Sequence, residues 1–258
     1  MGARPNNLCR LMLNYGYLKG VNGMRTVLNH HIQKFIFRTL LLAVAIFLFF
    51  IYNEKLDFTA VLQQGFGGIF LWVIWIILVI EMLYRIFPNT SIAIGARKHF
   101  PRSYTATSEA KTDVNDKAAM LKSLNKGVLF SLIGWLVATA AILFVLFPIL
   151  TPPTVLILML VFAVLDLAFI LFVCPFRVLF MKNHCCVTCR IYNWDYFMMC
   201  APLIIFPSFY SISLTLLSTA VLLRWEVALR KNPHFFTRTT NKNLTCESCE
   251  DKTCRKKP

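Results

Sequence analysis

Long apolar runs alternate along this chain with shorter polar segments, and the lengths of the runs set the first expectation. A bilayer core about 30 Å thick needs about 20 helical residues. Phe35 to Tyr52 is the first run of that order, broken only by Arg38, which is expected to snorkel its guanidinium to the headgroups. A polar link, Asn53 to Asp57, leads to a second run with its core at Ile69 to Ile80, extended by Gly65, Gly67 and Gly68 before it and by Met82 to Phe87 after it. Gly127 to Leu150 and Val155 to Val173 supply a third and a fourth. They are separated by Thr151-Pro152-Pro153, where proline cannot continue the preceding helix.

The last apolar stretch, Tyr196 to Leu223, has a different texture. Pro202 and Pro207 interrupt it, and Ser208, Ser211, Ser213 and Thr215 make its middle semi-polar. Its 28 residues are too few for two full spans at a rise of about 1.5 Å each. It therefore crosses once, or turns back near Pro207 with a partial arm. The expected fold class is an all-α integral membrane protein: four transmembrane helices plus a C-terminal re-entrant or short helical hairpin, with five spans as the alternative, and a Cys-rich cytoplasmic tail. No repeat at solenoid spacing occurs.

Seven segments follow from this pattern: a basic N-terminal segment, 1–34; a hairpin of two spans, 35–87; a polar loop, 88–126, with a short amphipathic helix near Val114 to Leu124; a second hairpin, 127–173; a Cys-rich loop, 174–195; the re-entrant or spanning segment, 196–223; and a basic Cys-rich tail, 224–258. About three dozen mostly polar residues precede the first run, so no cleavable signal peptide is expected. Position 6 is Asn, not the Ser or Thr that myristoylation favours.

Charge decides orientation. Lys and Arg number six in residues 1–38, with no acids, seven in 88–126, three in 174–195 and nine in 224–258, whereas the opposite turns hold only Lys55. Short loops keep such residues in the cytoplasm. The N-terminus, both long loops and the tail are therefore expected on the cytoplasmic side of a bacterial inner (plasma) membrane, which requires an even number of crossings. Composition agrees with a membrane setting, since 57% hydrophobic residues and a mean hydropathy of +0.62 exceed globular norms. The formal charge of +15 is spread over separated segments without a recognition motif, so anionic lipid headgroups, not nucleic acid, are the expected partner. The same face could receive a protein partner. A sequon, Asn243-Leu244-Thr245, would be used only if the tail were lumenal.

Six of nine cysteines fall into two groups, Cys185, Cys186 and Cys189, then Cys246, Cys249 and Cys254. Each contains a Cys-x-x-Cys pair, a spacing that lets two thiolates converge on one cation, and two pairs complete a tetrahedron of sulfurs around zinc. Neither group has the dense ferredoxin run, which makes zinc the first expectation and an iron-sulfur cluster the alternative. Cys186, Cys189, Cys246 and Cys249 form the leading ligand set, with Cys185, Cys254 and His184 as alternates. Such a site would be structural, regulatory or electron-transferring. Thiol-disulfide exchange by a membrane enzyme is a further reading, although no thioredoxin-like βαβ unit precedes the pair. Cys9, Cys174 and Cys200 read as packing residues, with Cys174-Pro175 ending the fourth span.

Asp166 lies inside the fourth run, where an ionised carboxylate costs about 2.5 to 3.5 kcal/mol on insertion scales. It is expected either to be protonated or hydrogen-bonded to Gln63, Gln64, Thr139 or another helix, or to serve a small transporter or permease component as a proton or cation relay. Glu81 and Arg85, four apart, are expected to pair with each other. Gly134 and Ala138 have small-xxx-small spacing for close helix packing, and His30-His31 reads as solvated.

Overall fold

A computed structural model describes residues 29–50, 66–87, 99, 104–107, 116–182, 189–245 and 247–248. Among these the fold is helical, apart from one isolated antiparallel pairing of Ala106 with Asn241. The main helices are α1 (Asn29–Phe50), α2 (Phe66–Ile86), α3 (Lys117–Asn125), α4 (Val128–Leu146), α5 (Pro152–Leu171), α6 (Asp195–Cys200) and α7 (Phe209–Lys231). Five helical segments are long and apolar enough to cross a membrane: α1, α2, α3–α4 as one run, α5 and α7. Their outer faces carry large apolar side chains in the open, among them Phe47, Ile69, Leu216 and Phe144, which is 82% exposed. Water does not tolerate continuous apolar surface of this kind, which suggests a membrane protein.

Local chemistry sets the helix ends. Asp116 accepts from the Ala119 amide at 2.9 Å and caps α3, so the amphipathic helix begins slightly later than the sequence pattern suggests. Pro152 and Pro153 open α5, because the first helical turn needs no amide donors. The break expected there thus ends one helix and starts the next. After α5, Pro175 leads into a π-helical turn, Phe176–Phe180.

The last apolar stretch is a hairpin of unequal arms. The first arm is α6 followed by a 3-10 segment, Ala201–Ile205, in which Pro202 removes an amide donor. Its length is about 19 Å, the tighter 3-10 turns rising further per residue. The second arm, α7, starts just beyond Pro207 through a reciprocal cap: Ser208 Oγ accepts from the Ser211 amide, and the Ser208 amide donates to Ser211 Oγ at 2.7 Å. At 23 residues α7 is about 34 Å long and ends at Lys231, beyond Leu223 where the apolar reading stops. The helix therefore takes in Arg224, Glu226 and Arg230, which the sequence reading assigned to the tail.

Contacts sort the helix ends into two groups. The start of α1, the end of α2, the start of α4, and the ends of α5 and α7 gather at one polar end, where Lys34 meets Glu81, Gly127 abuts Phe180 and Arg190 meets Glu226. At the opposite end Trp72 and Trp75 of α2 pack on Phe209 and Tyr210 of α7, and Trp75 Nε1 donates to Ser213 Oγ at 2.8 Å. Residues 233–245 cover the polar end. There the Lys242 amide donates to the Thr105 carbonyl at 2.8 Å, and His99 stacks on Phe236 with ring centres 4.7 Å apart.

Gly127 is the joint between α3 and α4. Its φ of +81° is left-handed, and a Cβ there would overlap the Phe180 carbonyl. Gly134, expected to favour helix contact, instead faces the Phe180 ring, which a Cβ would approach to 3.1 Å. Gly127→Ala should destabilise the purified protein by about 2 kcal/mol or more. Gly127→Asn should be no better, since Asn tolerates the dihedral but keeps the clashing Cβ; thermal unfolding in detergent reads both.

Candidate functional site: a charged cluster beside an apolar cavity

Six charged side chains converge at the polar end. Arg38 of α1, 7% exposed, donates from Nη2 to Glu81 Oε2 at 2.7 Å and from Nη1 to the Ala163 carbonyl at 2.9 Å. Its Nη1 also lies 3.5 Å from Asp166 Oδ2. Lys34, one helical turn earlier, reaches Glu81 Oε1 at 2.8 Å, and the Tyr196 hydroxyl donates to Glu81 Oε2 at 2.9 Å. Glu81 thus receives three donors from two helices. Arg85, one turn on, donates to Asn193 Oδ1 at 2.7 Å and to Asp195 Oδ2 at 3.1 Å, with its guanidinium 5.3 and 5.5 Å from the ring centres of Tyr192 and Tyr196.

Two expectations change here, on Arg38 and on the Glu81 and Arg85 pair. Arg38 does not snorkel; it turns inward to the carboxylates of α2 and α5. Glu81 and Arg85 do not pair with each other, because each has a buried partner on another element at better geometry. Asp166 faces Arg38 across the helix interface, and its approach is the loosest in the group. The cluster holds three cations, Lys34, Arg38 and Arg85, against three carboxylates, Glu81, Asp166 and Asp195. Mutual neutralisation is what allows such burial, since an isolated ion would carry a desolvation cost of several kcal/mol. A second pair closes the hairpin base: Arg190 engages both Glu226 oxygens, at 3.2 and 2.5 Å, and Trp194 Nε1 donates to Oε1 at 3.0 Å.

Beside the cluster lies a cavity of about 330 Å³ between α4, α5, residues 174–177 and residues 189–199. Its walls are mainly apolar, with Trp135, Ile142, Phe162 and Phe169 prominent. Asp166 and Asp195 belong both to this wall and to the ion-pair cluster. Thr139 and Arg177 add polar groups.

Of the six cysteines expected to bind metal, Cys189 is buried on the cavity wall, with Cys174 in the same lining. Cys185, Cys186, Cys246, Cys249 and Cys254 lie outside the described residues, as does His184. Among the described residues no group of three or more His, Cys, Asp or Glu side chains could hold a metal ion. Cys200 is fully buried in the core between α6 and α7. Asp195, Asn193 and Tyr196 were not anticipated, because they fall at the edge of the apolar stretch and look like loop residues. The available signal was numerical: inside the expected spans two cations, Arg38 and Arg85, match two carboxylates, Glu81 and Asp166.

No protein-family model, curated protein or solved structure matches this chain. The arrangement of the described residues defines the class: a helical protein with five membrane-length helices, an interrupted hairpin, and a buried ionic cluster beside an apolar cavity.

Arg38→Met should destabilise strongly, by about 3 to 5 kcal/mol, because it strands Asp166 and removes one of the three donors of Glu81. Arg38→Met combined with Glu81→Met should cost clearly less than the two single changes added together. A double-mutant cycle of unfolding free energies measures the difference.

Proposed function

We propose that the chain is an integral membrane protein with both termini cytoplasmic, and that it acts as a small proton-coupled permease or permease component centred on Asp166. In this reading the polar end faces the cytoplasm, α1, α2, α4 and α5 cross in turn, and the unequal hairpin completes an even number of crossings. The observation that carries it is the position of Asp166, which lines the cavity and touches the ion-pair cluster through one loose contact to Arg38. Glu81 holds Arg38 far more closely, so Asp166 can take up a proton while Arg38 stays neutralised. Interrupted helices commonly line substrate sites in transporters, which fits the cavity's position against α6. The basic face at the polar end is suited to anionic headgroups.

The test is proton flux in liposomes loaded with a pH-sensitive dye, under an imposed membrane potential. Wild type should acidify or alkalinise the lumen in the direction of the gradient, and Asp166→Asn should slow this at least tenfold while remaining folded. An unchanged rate would sink the proposal.

A second reading has its own support. A cleft of about 500 Å³ at the polar end is lined by Met181, Lys182 and Arg190, which flank the first cysteine group, and by Thr237 to Thr239, upstream of the second. That neighbourhood would let the two Cys-x-x-Cys pairs share one zinc, or less readily an iron-sulfur cluster, fastening tail to loop at the cytoplasmic surface in a bacterial plasma membrane. Metal analysis should then find about one zinc per chain, lost in both Cys186→Ser and Cys246→Ser. A visible absorption band would favour iron-sulfur, and a colourless metal-free protein would leave thiol exchange or simple packing for these residues.

A further inference from the structure

We infer that the cleft at the polar end, between α3, residues 181–182 and residues 236–239, binds the phosphate of an anionic membrane lipid between Lys126 and Lys182. The inference rests on the membrane placement proposed above, with the polar end at one bilayer surface, and adds to it a defined site and ligand; it does not depend on proton coupling.

Backbone contact brings the two lysines together. Gly127 packs so closely on Phe180 and Met181 that a Cβ there would lie 3.2 Å from Met181 Cα. With about 3.8 Å between consecutive Cα atoms, the Cα atoms of Lys126 and Lys182 are held within about 12 Å of each other. Two four-carbon side chains across that gap can meet at one phosphate, whose oxygens accept from both ammonium groups at once. Both lysines are exposed, both line the cleft, and neither forms an ion pair among the described residues. Two other charges of the lining are already engaged. Asp116 caps the far end of α3, about 14 Å of helix from Lys126, where its Oδ1 accepts from the Ala119 amide. Arg190 is matched by both oxygens of Glu226. Unmatched like charges in a cleft concentrate anions there.

The level of the lysines selects a lipid over a free anion. Leu129 and Phe130, just past Lys126, carry exposed apolar side chains, and so do Val178 and Leu179, just before Lys182. Both chain segments therefore pass from charged to lipid-facing residues where Gly127 and Met181 touch, and so at one depth. That boundary is where a bilayer carries its phosphates, and basic residues placed there attract anionic lipids. A fully hydrated anion would gain nothing from the apolar part of the wall, Ala119, Leu124 and Met181, whereas a lipid lays the carbons next to its phosphate against it. At about 500 Å³ the cleft lies within the range of ligand sites, about 300 to 1,000 Å³.

The experiment is native mass spectrometry of the full-length protein in detergent, titrated with phosphatidylglycerol or with phosphatidylcholine of the same acyl chains. The first phosphatidylglycerol should bind about tenfold more tightly than the first phosphatidylcholine, whose choline offsets the phosphate charge. Lys126→Gln and Lys182→Gln should each weaken phosphatidylglycerol about fivefold and leave phosphatidylcholine unchanged. Lys122→Gln, the same loss of charge at an exposed position of α3 outside the cleft, should change binding by less than about twofold. Soluble glycerol phosphate should compete about tenfold less well than the lipid, since it gains nothing from the apolar wall. No preference between headgroups, an equal effect of Lys122→Gln, or equal competition by glycerol phosphate would each overturn the assignment, in favour of mere adsorption, diffuse surface charge and a soluble-phosphate site respectively. The effect of the lysines should persist in Cys186→Ser, and its loss there would overturn the cleft in favour of a site made by a metal-held tail. Headgroup preference without proton flux would remove the permease and leave the cleft, and proton flux without headgroup preference would remove the cleft alone.

Discussion

The grip of Glu81 on Arg38 is the constraint on which the rest depends. A guanidinium cannot be deprotonated, so once it turns away from water it must be met by negative charge wherever it lies. Glu81 meets it at 2.7 Å, and that contact fixes the register of α1 on α2. The same guanidinium reaches the Ala163 carbonyl and Asp166, which draws α5 against the pair. Tyr196 then joins Glu81 to the hairpin, and Arg85 fixes residues 193–195 one turn below. A chain of polar contacts thus orients helices whose apolar surfaces alone would pack in many ways, since lipid gives little preference for one apolar neighbour over another.

This explains why an ion-pair cluster and a cavity occur side by side. Asp166 and Asp195 each give one oxygen to an arginine of the cluster, and both residues also line the space between α4 and α5. Where both sides of a carboxylate are engaged, as at Glu81 and Glu226, it is structural.

Much of the fold was legible in the sequence because apolar run length is a direct consequence of bilayer thickness. Four of the membrane-length helices fall where the runs lie, and Pro207 marks the turn of the last stretch. The end of α7 was not legible, because Arg224 and Glu226 look like the start of a polar tail. They remain helical because Arg190 and Trp194, distant in sequence, satisfy Glu226. Asp166 stood out as a polar residue in an apolar run, but its partner could not be named: Arg38 lies 128 positions earlier and reads equally well as a snorkelling residue. Asp195 was invisible for a related reason. Composition places it in a loop, and only the pairing with Arg85 turns it inward.

In the proposed membrane setting, the inequality of the hairpin arms bears on how the chain would enter a bilayer. An arm of about 19 Å falls short of a hydrocarbon core of about 30 Å, so it cannot be released into lipid by itself during synthesis. Its exposed backbone ends would be stranded until a neighbour arrives. The arm would therefore wait beside the insertion machinery until α7 has been made, and the two would leave together as a unit. Insertion of residues 195–231 would then be a single late event, and chains that stop before Lys231 would have no stable place for the short arm.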